Sequence, residues 1–235
     1  MCTVSWLYRD GGYDVLCNRD EKKTRGSAIA PQIRESGDSR FAAPVDSDHG
    51  GSWLSVNEHG LTLCLLNAGP AIAKRLIGAR SRGLVLMDVA GCSSADEVQK
   101  QIDPSNTLPF TLAVFDPCHS TALFRWNGSE LARQDQSRQT GLLVSSSFDP
   151  ERVSARRTAE FRRQVQPAPT LAGLHNFHCS HGDGPSAYST CMHRADARTV
   201  SFSWVRVDPA RASLFYAPDS PCRWPTGTSV ELSRL

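Results

Sequence analysis

The chain has 235 residues, which is long enough for one sizeable hydrophobic core, and a single domain over residues 1–235 is expected. Hydrophobic residues make up 40% of the chain and charged residues 21%, as is usual for soluble globular proteins. The net charge of +2 argues against nucleic acid binding. No apolar run approaches the ~18 residues that a membrane span requires, so none is predicted.

The N-terminus carries a charged residue as early as Arg9, so no signal peptide is predicted and a cytoplasmic location is expected. The eight cysteines include no Cys-x-x-Cys pair. A chain of this size in a reducing compartment needs no disulfides. Cys17 and Cys64 lie within apolar segments and are expected to be small core residues.

The start of the chain predicts a β-hairpin. Residues 3–8 alternate and are rich in strand-forming side chains, residues 9–12 form a turn signal, and residues 13–17 have the pattern of a second strand. Because the two arms are nearly equal in length, the end of the second strand returns to the start of the first. The Asn-Arg-Asp-Glu tetrapeptide at 18–21 is therefore expected beside Cys2.

The remaining pattern mixes hairpin strands with a few helices. Residues 24–48 contain scattered prolines, charges and glycines and are predicted to form a loop. Helices are predicted over 81–90, from the capping box at 94 through 102, and from the Asp-Pro pair at 149 to about 165. Further strands are predicted over 52–56, 61–66, 110–115, 121–126, 140–147, 187–192, 199–207 and 213–216. After these strands the tail is predicted to be irregular.

These elements predict an α+β fold with antiparallel pairing and helices on the outer faces. The helix over 150–165 carries five arginines, but Glu151 and Glu160 interrupt them and the protein is nearly neutral. These arginines are therefore expected to form a solvated face rather than a nucleic acid site.

Cys2 is the first candidate catalytic residue. Removal of Met1 would leave a residue with both a thiol and a free α-amine. The thiolate is the nucleophile, with a reference pKa of about 8.5, and an α-amine titrates at about 7.7–8.0. The amine could take the proton of the thiol, so no histidine would be required as the base.

A second constellation lies near residues 175–193 and supports a different function. Imidazole and thiolate bind zinc and other transition metals, and both also bind haem iron. The spacing fits no standard zinc finger, so no native metal site is the preferred interpretation. The alternative is a metal or haem carrier with His178, His181, Cys191 and His193 as the candidate ligands.

Several motifs occur in an order that resembles one family. The chain begins Met-Cys, continues with Asn-Arg-Asp-Glu at 18–21, Gly-Gly-Ser-Trp-Leu at 50–54 and Asn-Glu-His-Gly-Leu at 57–61, and reaches Asn67. This combination resembles the NRDE family, whose eukaryotic members are called transport-and-Golgi-organisation proteins. The family is similar to the N-terminal-nucleophile hydrolases, which implies a four-layer αββα sandwich of two antiparallel sheets.

The resemblance implies roles for individual residues. Cysteine acylases of that superfamily also begin Met-Cys, so Cys2 resembles their nucleophile, Asp20 the aspartate that holds its amine, and Asn67 the oxyanion donor. Arg19 would set the local charge together with Asp20. The residues expected to contact the substrate are Asn18, Trp53, Ser145 and Ser146.

Two departures from the acylases stand out. The acylases carry an arginine where this chain has Cys17, and an asparagine where it has the serines at 145–147. The Met-Cys start and the motifs that follow it favour a hydrolase of a small-molecule, non-peptide amide that requires no cofactor. Some family members are implicated in haem trafficking, which supports the alternative of a non-catalytic haem carrier on the same fold.

Overall fold

The computed structural model describes residues 2–68, 78–117, 121–136, 139–223 and 225–235. Within these residues, thirteen strands form two antiparallel sheets, together with four α-helices and one short 3-10 helix. The α+β class predicted from the sequence is therefore confirmed.

The six-stranded sheet contains the N-terminal hairpin at its centre. Its strand order is β10-β1-β2-β11-β12-β13. The bounds are β1 (Cys2–Arg9), β2 (Gly12–Lys22), β10 (Thr140–Ser145), β11 (Ala197–Val207), β12 (Arg211–Ala217) and β13 (Thr228–Ser233).

The seven-stranded sheet follows chain order from β3 to β9. The bounds are β3 (Ile29–Ser36), β4 (Ser39–Val45), β5 (Leu54–Asn57), β6 (Thr62–Asn67), β7 (Phe110–Phe115), β8 (Thr121–Trp126) and β9 (Leu131–Gln136). The helices are α1 (Arg82–Asp88), α2 (Ala95–Gln101), α3 (Pro150–Gln164) and α4 (Leu171–Cys179). The 3-10 helix is Pro221–Arg223.

The two sheets pack face to face, and the alternation of side chains along each strand builds three layers of contact. On β2, Val15 and Cys17 enter the core between the sheets, whereas Leu16 faces outward against α3 and α4. On β6, Cys64 faces the same inner core and Leu63 packs outward in the cluster that contains α1 and α2. This arrangement is the predicted four-layer αββα sandwich.

The predicted start of α2 is confirmed by its capping contact. Ser94 precedes the helix in an extended conformation, and its Oγ accepts a hydrogen bond of 3.2 Å from the backbone N–H of Glu97. Such a cap satisfies one of the N–H groups that the first helical turn leaves unpaired.

Other segments differ from the sequence prediction. Residues 24–48 are not a loop, because β3 and β4 form a hairpin there; β3 is mostly exposed, so it lacks the apolar alternation that would have revealed it. Residues 187–192 are not a strand. The tail is not irregular, since β13 pairs with β12. Helix α4 was not predicted. No helix in the described residues is long and apolar enough to span a membrane.

Tyr13 ties the two sheets together. Its ring is fully buried, and its hydroxyl lies 2.6 Å from Gly60 O, 2.8 Å from Thr62 Oγ1 and 3.0 Å from Phe115 O. The hydroxyl donates one proton and can accept another, so its removal leaves buried acceptors without a donor.

We therefore expect Tyr13→Phe to lower the free energy of unfolding by about 1–3 kcal/mol, measured by urea denaturation. Tyr188→Phe is the control, because the Tyr188 hydroxyl contacts Asp149 at the surface; it should cost less than about 0.5 kcal/mol. Equal effects of the two substitutions would contradict the role of Tyr13.

Candidate functional site

Cys2 lies at the start of β1, between β10 and β2. In the antiparallel register it stands opposite Ser145 on one side and Arg19 on the other. The backbone N–H of Cys2 donates a hydrogen bond of 3.0 Å to Ser145 Oγ. Cys2 is buried, at 6% exposure, so the hairpin places the tetrapeptide beside it as the sequence predicts.

Three thiols meet at this point of the inner core. Cys17 and Cys64 are fully buried, as expected of small core residues. A hydrogen bond from the Cys17 thiol lowers the pKa of Cys2, although burial and the charge of Asp20 act in the opposite direction. The same hydrogen bond and burial raise the pKa of Cys17 well above its ordinary value. Cys2 is therefore the thiol that ionises first in this group.

A small cavity of about 130 Å³ opens beside Cys2. Arg19 forms part of its wall and is held from two sides: its Nη2 lies 2.5 Å from Asp46 Oδ2, and its guanidinium lies 4.3 Å from the centre of the Trp53 ring. The cavity is lined by Cys2, Arg19, Glu21, Arg25, Asp46, Gly51, Ser52, Trp53, Leu65, Asn67, Ser81, Arg82 and Gly83.

Charged groups dominate the mouth of this cavity. Burial alone would raise the pKa of the Asp46 carboxyl, but a hydrogen bond from Arg25 and the charges of Arg25 and Arg19 lower it. Burial lowers the pKa of Arg82, whose Nη1 donates to Pro109 O at 3.1 Å. The predicted residues Cys2, Arg19, Trp53 and Asn67 thus share one cavity, and Asp46 and Arg82 join them without having been predicted.

Asn18 and Asp20 point to the opposite face of β2, because side chains alternate along a strand. The Nδ2 of Asn18 donates to His178 O at 2.9 Å and to Thr190 O at 3.0 Å, and the residue is fully buried. It does not line the cavity beside Cys2. Its observed contacts are with the protein backbone, which differs from the substrate contact expected from the sequence.

Asp20 is held by a buried ion pair. Its Oδ2 lies 2.9 Å from Arg157 Nη1, and its Oδ1 accepts a hydrogen bond of 2.7 Å from Thr199 Oγ1. Arg157 also donates to Thr3 Oγ1 on β1. The expectation that all the arginines of α3 are solvated was therefore wrong for Arg157, which is 2% exposed. Nothing in its local sequence distinguishes it from its exposed neighbour Arg156.

Asn67 lies between the first cavity and a second one of about 490 Å³. Ser145 and Ser146 line the second cavity, together with Leu143 and Arg125. Ser146 Oγ donates to Phe148 O at 2.6 Å. The predicted substrate-contacting serines thus line the second cavity, whereas Trp53 lines the first.

The histidine–cysteine residues are divided by the structure. His178 is fully buried on α4, its Nε2 lies 2.8 Å from Ser5 Oγ, and burial lowers its pKa to about 3. Three candidate ligands of the alternative interpretation, His181, Cys191 and His193, come together, but the fourth member of their group is Cys222 rather than His178. The inclusion of His178 was therefore wrong, because α4 turns its ring towards β1.

The buried ion pair between Asp20 and Arg157 can be tested by substitution. We expect Arg157→Met to lower the free energy of unfolding by about 3–5 kcal/mol, because it removes the buried cation that is paired with the Asp20 carboxylate. Replacing both members, as Arg157→Met with Asp20→Leu, should recover most of that loss. Urea denaturation of the wild type and of these two variants measures both values.

Arg156→Met is the matched control on the same helix. Arg156 pairs with Asp183, but both side chains are exposed, and such pairs contribute at most about 1 kcal/mol. An Arg157 variant as mild as the Arg156 variant would show that the buried pair does not hold the fold.

Known structures share this architecture. A penicillin V acylase from Agrobacterium tumefaciens aligns with a TM-score of 0.56 at 11% identity, over 99% of this chain and 86% of the acylase. A conjugated bile acid hydrolase from Clostridium perfringens aligns with a TM-score of 0.54 at 13% identity, over 99% of this chain and 92% of the hydrolase. An N-acylethanolamine-hydrolyzing acid amidase orthologue from Caenorhabditis elegans aligns with a TM-score of 0.63 at 8% identity, over 99% of this chain and 100% of the amidase. At these identities the likeness establishes the fold alone.

Sequence comparison identifies the family. Among curated protein sequences, the comparison found no match to this chain. The sequence model of the family described as "Transport and Golgi organisation 2" matches residues 1–168, which is more than half of the chain. The match includes the Met-Cys start, the Asn-Arg-Asp-Glu tetrapeptide and Asn67, and it confirms the resemblance drawn from those motifs. The chain therefore belongs to the transport and Golgi organisation 2 family.

Proposed function

We propose that this protein is an N-terminal-nucleophile hydrolase that uses Cys2, after removal of Met1, to cleave the C–N bond of a small non-peptide amide. The observation that carries the proposal is the position of Cys2. Cys2 lines a cavity together with Arg19 and Asn67, and its backbone nitrogen lies 3.0 Å from Ser145 Oγ. Neighbouring structures named acylase, hydrolase and amidase support the same reaction class.

The chemistry begins with a proton transfer within Cys2. Removal of Met1 converts the Cys2 nitrogen from an amide into an α-amine, which can take the thiol proton. The thiolate attacks the substrate carbonyl, and the carbonyl π electrons move to oxygen. When that oxyanion collapses, the C–N bond breaks and the amine of Cys2 returns a proton to the leaving nitrogen. Water then attacks the thioester, releases the carboxylic acid and restores the thiol.

Asn67 is the proposed oxyanion donor. It stands at the end of β6 and lines the same cavity as Cys2. A side-chain amide at this position can donate to the negative oxygen of the tetrahedral intermediate. Loss of one such donor typically lowers the rate by ~10²–10³.

Ser145 and Asp20 are proposed to orient the nucleophile from opposite directions. Ser145 Oγ accepts a hydrogen bond from the Cys2 nitrogen, which would direct the remaining lone pair of a free amine. Asp20, fixed by Arg157 and Thr199, supplies a negative charge beneath the start of β1. This mechanism requires no cofactor.

The substrate is proposed to be small and polar near its acyl group. The cavity beside Cys2 measures about 130 Å³ and carries Arg19, Arg25 and Arg82. Trp53 Nε1 is buried and has no hydrogen-bond partner among the described residues. It is therefore available to donate to an acceptor on the substrate. A cytoplasmic location belongs to the same proposal, since the cytoplasm keeps free thiols such as that of Cys2 reduced.

The test combines intact mass with covalent labelling. We expect the purified protein to lack one methionine and to be labelled stoichiometrically at Cys2 by a small electrophilic amide. Cys2→Ser should abolish labelling at this peptide. Cys179→Ser, which changes a half-buried cysteine outside the cavity, should be labelled like the wild type.

Two outcomes would overturn the hydrolase proposal. Quantitative retention of Met1 would remove the free amine that serves as the base. Equal labelling of the wild type and Cys2→Ser would show that another group reacts. The haem-carrier alternative from the sequence would then take first place, although the buried His178 is unsuited to bind iron through its occupied Nε2.

The pH dependence of labelling tests the contribution of Cys17. Because the Cys17 hydrogen bond lowers the pKa of Cys2, wild-type labelling should reach half of its maximal rate below the ordinary thiol pKa of about 8.5. Cys17→Ala removes this donor, so the midpoint should move to higher pH. The rate at neutral pH should fall by roughly tenfold for each unit of that shift, and the rates should converge at high pH.

Cys64→Ala is the control for this series. Cys64 is equally buried and is affected by the charge of Cys2, but the hydrogen bond that lowers the pKa of Cys2 comes from Cys17. Its profile should follow the wild type. A midpoint that moves equally in both variants would assign the effect to packing of the inner core instead of to the hydrogen bond.

A further inference from the structure

A group of four metal-binding side chains lies away from the cavity of Cys2. His181, Cys191 and His193 belong to the segment between α4 and β11, and Cys222 belongs to the 3-10 helix Pro221–Arg223. One ligand atom from each residue lies within 4.8 Å of all the others. The chain thus returns across β11 and β12 to bring the fourth side chain to the group.

The distances match the edges of a tetrahedral zinc site. Cys191 Sγ lies 3.6 Å from His193 Nε2, and Cys222 Sγ lies 3.5 Å from the same nitrogen. Zinc binds sulfur at about 2.3 Å and imidazole nitrogen at about 2.0–2.1 Å, so a tetrahedral angle separates the two by about 3.5–3.6 Å. These sulfurs and this nitrogen therefore stand where a common metal ion would hold them.

His181 adds an independent observation. Its Nε2 is buried and has no hydrogen-bond partner among the described residues. Its ring centre lies 5.0 Å from that of His193. A buried ring nitrogen without a partner is costly unless it is satisfied by another group. A metal ion between the two rings would satisfy it.

We propose that His181, Cys191, His193 and Cys222 bind one Zn²⁺ ion in a closed structural site. Two thiolates and two imidazoles form the donor set that zinc prefers over magnesium or calcium. All four positions are filled by protein, so no coordination site is left for a substrate. This proposal is independent of the function proposed for Cys2.

The ion would brace the strand that carries the tetrapeptide. Met192, the residue after Cys191, donates its backbone N–H to Thr199 Oγ1 at 2.8 Å, and Thr199 donates in turn to Asp20. Thr190, the residue before Cys191, accepts a hydrogen bond from Asn18. A metal ion bound to Cys191 would therefore stabilise Thr190 and Thr199, which contact Asn18 and Asp20 of β2. Through Cys222 it would also join this segment to the 3-10 helix.

The experiment measures zinc in the full-length protein purified under reducing conditions without chelators. We expect about one zinc ion per chain, which follows from one four-ligand site. Cys222→Ser and His193→Ala should lose most of the zinc. Cys222→His, which restores a nitrogen ligand, should recover it. Cys179→Ser is the matched control and should retain the wild-type zinc content, because Cys179 is a neighbouring thiol outside the group.

Replacement of zinc by Co²⁺ gives a second readout. Thiolate-to-cobalt charge-transfer absorption and tetrahedral d–d bands should appear in the wild type and weaken in Cys222→Ser. This spectrum reports the ligands directly in the wild type, so it stands even if a variant folds poorly. Cys2→Ser should keep both its zinc and its cobalt spectrum, which separates this proposal from the hydrolase mechanism.

Three results would overturn the proposal. One is a wild-type protein that stays free of zinc after incubation with one equivalent of Zn²⁺. Another is a Cys222→Ser variant with the same zinc content and cobalt spectrum as the wild type. The third is a disulfide between Cys191 and Cys222 in peptide maps of the freshly purified protein, which would make the pair a redox couple instead of a metal site.

Discussion

The buried ion pair between Asp20 and Arg157 is the interaction on which the geometry of the site depends. Both side chains are at most 2% exposed, so neither charge is hydrated and each stabilises the other. Arg157 also donates to Thr3, the residue after Cys2 in β1. A single side chain from an outer helix thus fixes β1 and β2, the two strands that carry the candidate nucleophile and the tetrapeptide.

Because side chains alternate along β2, the residues of the tetrapeptide lie on two faces of the strand and have two different roles. Arg19 points towards the cavity of Cys2, where Asp46 and Trp53 hold its guanidinium. Asn18 and Asp20 point the other way and bind α4, the following loop and α3. One pair of alternate residues anchors the strand, and the residue between them reaches the candidate site. A shift of the β1–β2 register by one residue would exchange the two faces and destroy both functions.

The sequence predicts the centre of this architecture better than its periphery. The hairpin of β1 and β2 follows from apolar alternation around a turn, and it correctly brings Arg19 to Cys2. The edge strand β3 was not recognised, because most of its side chains are exposed and a proline and charged residues interrupt the pattern of a buried strand. The partners Asp46 and Arg157 were missed for another reason: they meet the tetrapeptide only through tertiary packing, which no local pattern records. Cys222 was not predicted as a candidate metal ligand for the same reason, because only tertiary packing brings it to His181, Cys191 and His193.

The same geometry explains why position 17 suits an uncharged side chain. Cys17 is buried between the two sheets beside Cys2. A charge at that position would require a buried partner, whereas a thiol can donate a hydrogen bond to Cys2 without one. The positive charge appears two residues later on the same face of β2, as Arg19, which Asp46 neutralises at the wall of the cavity. The positive charge on this face of β2 thus lies at the wall of the cavity, and a neutral donor in the core lowers the pKa of Cys2, the candidate nucleophile.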